Sequence, residues 1–251
     1  MAGLRKNAFK AGLRDGRLQR GLWCTINDSL VAEMCAGLGY DWMLFDTEHS
    51  ALDPLSVLPL LQAVAPYPVS PIVRPGSLNA PEIKKLLDLG AQTLLIPMVQ
   101  NAGEAAAAVA AVEYPPAGIR GVSGLTRATA FAEIPGYHKA ARDEIALLVQ
   151  VESMEAVEQI EAIAAVPGVD GIFVGPADLA AALGYAGEPS HPAVVEATLS
   201  AVRRIVAAGK PAGFLSADES FVDKVTEAGA TFVSRDIDLA AMKRGLKSRL
   251  G

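Results

Sequence analysis

Eight short apolar runs, each followed by a longer run with helical spacing, predict an α/β chain closed into a (β/α)8 TIM barrel. Two further observations agree. The 251 residues match the length of one such barrel, about 250. No GxGxxG follows an early strand, which disfavours an open dinucleotide-binding sheet, the runner-up βαβ arrangement. One domain over 1–251 is expected.

The strand-like runs are Gly21–Ile26, Trp42–Asp46, Pro71–Arg74, Thr93–Pro97, Ala146–Glu152, Gly171–Val174, Pro211–Leu215 and Thr231–Ser234. Helical spacing of apolar residues marks Leu30–Leu38, Leu55–Val64, Ala80–Leu89, Ala102–Val112 and Met154–Val166 between them. Gly39, Gly90, Gly209 and Gly229 fall just before strands, where a glycine relieves the left-handed strain of a helix end. The basic opening segment has no apolar core ahead of a cleavage site, so it reads as an amphipathic helix rather than a signal peptide. Tyr114–His138, rich in Gly, Pro, Arg and Thr, interrupts the rhythm; insertions of this kind serve as binding loops or subunit contacts.

Composition narrows the function. A net charge of −6, with 6% aromatic residues and scattered bases, argues against nucleic acid or an anionic membrane as partner. No apolar stretch approaches the ~18 residues of a membrane span. Cys24 and Cys35 form no CxxC or finger spacing, and read as inert thiols in a reducing cytoplasm.

In a barrel, chemistry belongs where strands end and βα loops begin, so polar residues there carry the weight. Gln150 and Glu152 are two apart on one strand and share a face. Facing the helix layer they would pack poorly; inside, near the strand end, they meet a cation and a substrate. Asp178 follows a Gly-Pro turn one strand later, where a helix N-cap is the structural alternative. Glu152 and Asp178 on adjacent strand ends suit Mg²⁺, Mn²⁺ or Co²⁺, with water and substrate oxygens completing the shell. The amides of Ala177 and Asp178 open a helix and offer a seat for a carboxylate. His49, one of three histidines, follows two acids at a strand end and is the candidate general base. His138 and His191 lie in loops and are given no role. Arg74, at the next strand end, is placed to stabilise an oxyanion, with a structural pair to Asp46 or Glu48 as the alternative. Lys84, Lys85, Lys139 and Lys210 lie in helices, in the long loop or at the wrong end of a strand, which disfavours Schiff-base chemistry.

The segments GLW, FDTEHS, PIVRPG, LLDLGAQTLLIPMVQ, RGV, LLVQVES and DGIFVGPADLAAALG, in register from about Gly21 to Leu246, resemble the HpcH/HpaI aldolases, a family of metal-dependent pyruvate aldolases. The resemblance implies a barrel whose last helix is exchanged between subunits of a homo-hexamer. It implies Glu152 and Asp178 as ligands of a divalent metal and His49 as the base, its basicity raised by Asp88. Arg74 matches a transition-state stabiliser; Gln150, Ala177 and Asp178 match substrate contacts; Trp23 and Leu215 match pocket positions. On its own Asp88 reads only as a helix C-terminal residue. The helix Leu239–Leu250 carries Met242, Leu246 and Leu250 on one face, consistent with packing on a neighbouring subunit. Arg235 departs from the family pattern after the last strand.

The expected activity is reversible aldol cleavage of 4-hydroxy-2-keto acids to pyruvate and an aldehyde, with oxaloacetate decarboxylation as a side reaction. A citryl- or malyl-CoA-type lyase, a dedicated oxaloacetate decarboxylase and a non-catalytic ligand-binding barrel are the alternatives.

Overall fold

The computed structural model describes residues 3–250. Eight parallel strands close into a barrel in sequence order: β1 (Gln19–Cys24), β2 (Trp42–Asp46), β3 (Ser70–Arg74), β4 (Thr93–Ile96), β5 (Ala146–Val151), β6 (Gly171–Val174), β7 (Ala212–Leu215) and β8 (Phe232–Ile237). Every strand-like run read from the sequence contains or overlaps a strand. β1 stops at Cys24 rather than Ile26 because the amides of Thr25 and Ile26 turn to the Asp238 carboxylate, at 3.0 and 3.1 Å. Around the barrel lie α1 (Ala8–Arg14), α2 (Ser29–Ala36), α3 (Val57–Val64), α4 (Ala80–Asp88), α5 (Ala102–Val112), α6 (Tyr137–Ala140), α7 (Met154–Glu158), α8 (Ile160–Ala164), α9 (Pro176–Ala182), α10 (Pro192–Ala207), α11 (Glu219–Glu227) and α12 (Asp238–Lys247). The single helix expected over Met154–Val166 is broken at Gln159, whose N–H bonds three residues back, to Ala156, and tightens the turn.

The period of two along each strand sorts the side chains. Met43, Phe45, Val73, Leu147, Val149 and Val151 point outward into the core beneath the helices. Trp42, Leu44, Ile72, Ala146, Leu148 and Phe173 point inward and fill the barrel. Small residues make room for large ones: a Cβ on Gly21 would lie 2.1 Å from the Trp42 ring, and one on Gly213 would lie 2.0 Å from the Phe232 ring. α1 stoppers the end where strands begin, with Phe9 fully buried and edge-on to Trp42 and Phe232 at 6.3 and 5.7 Å.

The interrupting segment Tyr114–His138 joins α5 to β5, so it lies at the strand N-terminal end, away from the βα loops. Ala130, Phe131 and Ala132 are left-handed there, and Ile119, Val122, Leu125 and Phe131 are exposed. α12 ends at Lys247 rather than at Leu250; it buries only Asp238 and leaves Leu239, Met242 and Leu246 exposed, as is Leu250 beyond its end. No helix among the described residues is long and apolar enough to cross a membrane.

Candidate active site

Continuing the inward period past the apolar layers brings polar groups to the barrel mouth. In β2, Trp42 and Leu44 are followed by Asp46; in β3, Ile72 is followed by Arg74; in β5, Leu148 is followed by Gln150 and then Glu152. All four polar residues are buried, at 1 to 5% exposure. They form one network.

Asp46 grips Arg74 from both sides: Nε donates to Oδ1 at 2.9 Å and Nη2 to Oδ2 at 2.7 Å. The Trp23 indole N–H donates to Oδ2 at 3.2 Å, and its ring lies beneath the guanidinium, 4.8 Å from centroid to Cζ. Burial opposes ionisation of Asp46, but the hydrogen bonds and charge of Arg74 outweigh it and hold the carboxyl below its usual range. Asp46 Oδ1 also accepts the amides of Glu48 and His49, at 3.0 and 3.3 Å, and so shapes the turn that carries the histidine. The sequence alternatives for Arg74 therefore coexist: it is paired with Asp46 and Glu48, and it stands in the site. Its Nη1 lies 2.7 Å from Glu48 Oε2, yet that buried oxygen has no hydrogen bond, so the contact is an ion pair without N–H alignment.

Gln150 donates from Nε2 to Glu152 Oε2 at 2.5 Å and accepts from Arg74 Nη1 at 3.4 Å. The other oxygen of Glu152 accepts the amide of Met98 at 2.8 Å. Met98, in the turn after β4, has a left-handed φ of 52°, an uncommon conformation for a side chain of this kind. Burial pushes the Glu152 carboxyl up to about 7; the Met98 N–H opposes this, while the charges of Asp178 and Glu48 add to it. Asp178 is exposed in the first turn of α9, beside Ala177. It is not the N-cap: that position is Gly175, which makes no side-chain cap. A Cβ on Gly175 would lie 2.3 Å from Glu152 Oε2 and 2.8 Å from Gln150 Nε2, so only glycine leaves this cradle open.

His49 is 65% exposed on its side chain, with Nε2 3.8 Å from Glu48 Oε1. Leu215, half-buried at the end of β7, packs on the same interior cluster as Trp23. Asp88 does not join them. It ends α4, and a helix that follows a strand finishes at the opposite end of the barrel; there Arg120 Nη2 donates to it at 2.9 Å. Arg235 faces outward and pairs with Asp223 at 2.6 Å. His138 meets the Ser123 carbonyl and His191 caps α10, structural positions in both cases. Lys210 donates to the Val169 carbonyl at the strand N-terminal end.

Four carboxylates, from Asp46, Glu48, Glu152 and Asp178, thus share the mouth with one guanidinium, and burial first, with the charges of Asp178 and Glu48 adding to it, holds the Glu152 carboxyl up at about 7. The orphaned oxygen of Glu48 and the open cradle at Gly175 fit a missing cation. Among the described residues no three His, Cys, Asp or Glu side chains enclose an ion. The donor set is hard oxygen from Glu152 and Asp178 with open positions, which suits Mg²⁺ or Mn²⁺ better than a closed structural zinc. A cavity of about 420 Å³ lies elsewhere, at the strand N-terminal end between Gly3–Ala8, Pro68–Pro71 and Arg127. Barrel chemistry is placed by strand ends rather than by cavity size, and the charged mouth is the candidate site.

The residues that sequence reasoning passed over are the Met98 amide, Gly175 and Asp46 as the organiser of Arg74, Trp23 and the His49 turn. Asp46 had a signal: it is four residues after Trp42 and on the same face.

Known proteins share this arrangement's sequence and shape. The model of the family described as HpcH/HpaI aldolase/citrate lyase matches residues 19–244. A pyruvate aldolase of Rhizobium etli is 55% identical over 239 residues, 95% of this chain and 94% of that one. A 4-hydroxy-2-oxo-heptane-1,7-dioate aldolase of Salmonella arizonae is 50% identical over 244 residues, 97% and 93% of the two chains. The crystal structure of an HpcH/HpaI aldolase/citrate lyase family protein from Burkholderia cenocepacia superposes with a TM-score of 0.94 at 37% identity, covering 98% of each chain. Barrel, match and relatives converge: this chain belongs to the HpcH/HpaI aldolase/citrate lyase family, whose relatives are carbon–carbon lyases.

Proposed function

We propose that the chain catalyses divalent-metal-dependent, reversible aldol cleavage of 4-hydroxy-2-keto acids to pyruvate and an aldehyde. The observation that carries this reading is the uncompensated Glu152–Asp178–Glu48 charge set against Arg74 at the strand C-terminal ends. A divalent ion held by Glu152 and Asp178 would supply Lewis-acid polarisation of the keto group.

The chain's own groups do the rest. The first-turn amides of α9, at Ala177 and Asp178, receive the substrate carboxylate. Arg74, locked by Asp46 and stacked on Trp23, offers its remaining N–H to the keto oxygen as negative charge develops there. Gln150 holds Glu152 and fills the wall, while Trp23 and Leu215 bound the pocket. A His49 ring nitrogen takes the C4 hydroxyl proton. The C4=O double bond forms, the C3–C4 bond breaks, and its electron pair becomes the pyruvate enolate, which is then protonated at C3. The names of two relatives, pyruvate aldolase and 4-hydroxy-2-oxo-heptane-1,7-dioate aldolase, agree with this reaction class. Asp88 stands at the opposite end of its own barrel, so a pairing with His49 would need a second chain, which accords with the expected homo-hexamer and with the exposed apolar face of α12.

Oxaloacetate decarboxylation gives the same enolate without removal of a hydroxyl proton. Pyruvate release is therefore measured for both reactions in the wild type and in His49→Ala. Cleavage falls by about 10²–10⁴-fold in the variant, the usual worth of a general base, while decarboxylation survives. Equal loss of both reactions with metal still bound removes His49 as base. Borohydride trapping of a pyruvyl-lysine adduct overturns the metal-dependent mechanism.

A further inference from the structure

We infer that Glu48 is a positioning residue for His49, its carboxylate facing the imidazole and stabilising the positive charge formed when the ring takes the substrate proton. The inference rests on the aldol cleavage proposed above.

Glu48 immediately precedes His49 in the turn that Asp46 closes by accepting both amides. Its two oxygens have separate tasks. Oε2 sits 2.7 Å from Arg74 Nη1, and Oε1 lies 3.8 Å from His49 Nε2. Among the described residues no other carboxylate lies this close to the His49 ring. The Glu48 side chain is 14% exposed, so the arginine and the turn fix it in place, whereas the histidine is open to solvent and substrate, at 65%. The 3.8 Å gap is too long for a hydrogen bond. The interaction is therefore one of charge, and it strengthens only when the ring becomes a cation, that is, during proton transfer. An interaction present in the transition state and weak before it raises kcat and leaves KM alone. Asp88, the acid that the family resemblance assigns to this task, stands at the other end of the same barrel under Arg120.

The rival role for Glu48 is to hold Arg74, and a double-mutant cycle separates the two. kcat and KM for cleavage of one 4-hydroxy-2-keto acid are measured in the metal-loaded wild type, Glu48→Gln, His49→Ala and the double variant, with melting temperatures alongside. Glu48→Gln is expected to lower kcat about 5-fold, the order for a charge pair with one exposed member, with KM unchanged. In the His49→Ala background the same change is expected to have no effect on kcat. Glu48→Asp, which keeps the charge, recovers part of the loss; it also replaces Glu48→Gln in the cycle if the latter does not fold. An equal loss in both backgrounds, or a rise in KM at constant kcat, overturns the inference and assigns Glu48 to Arg74. A His49→Ala variant with wild-type kcat, or a wild type without cleavage activity, instead overturns the functional reading on which the inference stands.

Discussion

At the end of the barrel where strands begin, charges are matched. Lys10, on the buried face of α1, has its amine on the carbonyls of Arg142 and Ile145, at 3.0 and 2.6 Å, and 3.6 Å from Asp170. Glu144 takes Lys6 and the Asn7 amide, and Arg142 takes Glu113. At the other end four carboxylates face one guanidinium, and Glu152, buried among them, keeps its proton to about 7. Both ends belong to the same closed sheet, so the difference is not one of scaffold. The closed end gains stability from its polar contacts. The open end gives stability up, and the proposed cation would restore it there. A substitution at either end should therefore reveal itself in a different measurement.

The largest effect is expected at the mouth. Glu152→Gln removes a proposed cation ligand, and with it several kcal/mol of transition-state stabilisation, so kcat falls by about 10³-fold or more. The metal-free fold is not weakened, because a like charge has been removed. Added Mn²⁺ at about 100 times its dissociation constant stabilises the wild type by about 2.7 kcal/mol and leaves the variant's melting temperature where it was. A variant that kept the cation-induced shift would show that Glu152 is not a ligand.

At the floor the pattern reverses. Phe9 is fully buried between Trp42 and Phe232, and Phe9→Ala opens a cavity there that costs about 3–5 kcal/mol of unfolding free energy. The kcat of the molecules that remain folded is unchanged, since no side chain of the mouth touches α1. Denaturant unfolding and activity at a temperature below the transition check both halves. A fall in kcat without a fall in stability would contradict the separation of the two ends.

This separation explains what the sequence disclosed. All eight strands were visible because inward and outward residues alternate between two apolar layers, a pattern that depends on nothing beyond the strand itself. Gln150 and Glu152 were found by the same rule, and Asp46 obeys it too: it follows Trp42 and Leu44 on one face. The location of Asp88 was also within reach, because a helix following a strand must end at the other end of the barrel. The break at Gln159 and the early end of β1 were not legible. They depend on where single amides find acceptors, Ala156 in one case and Asp238 in the other. The role of Met98 was hidden for a similar reason, since its side chain is not used and only its backbone N–H enters the site.

A third effect, of middle size, concerns pH in the absence of metal. The Glu152 carboxyl moves from 4.5 to about 7 on folding, mainly through burial, so between these values the folded chain holds a proton that the unfolded chain has lost. Stability from this group is therefore complete below about 4.5 and is lost as pH rises toward 7, by about 3 kcal/mol. In chelator, the melting temperature should fall over this window, and Glu152→Gln should flatten the slope. With saturating divalent cation the slope should reverse, because the ion binds the carboxylate and competes with the proton. A metal-free wild type whose stability rose through the window would mean that burial does not hold the proton on Glu152.

The smallest effect tests why Met98 is held at a φ of 52°. Its side chain is 45% exposed, so little burial explains the conformation. What the turn achieves is delivery of the Met98 N–H to Glu152 Oε1 at 2.8 Å. A left-handed residue with a side chain costs roughly 1–2 kcal/mol, and glycine relieves this while adding about 0.5–1 kcal/mol of backbone entropy to be lost on folding. Met98→Gly should therefore change stability by no more than about 1 kcal/mol, in the stabilising direction, with the cation response intact. Met98→Val places a β-branched side chain in the same conformation and should cost about 1–2 kcal/mol, because the left-handed region tolerates such residues least. Since the turn can escape that cost by flipping its backbone, Met98→Val should also lose the hydrogen bond to Glu152 and bind Mn²⁺ more weakly in calorimetry. If glycine and valine behaved alike in both measurements, the left-handed turn would have no part in holding Glu152, and the carboxylate would be fixed by Gln150 alone.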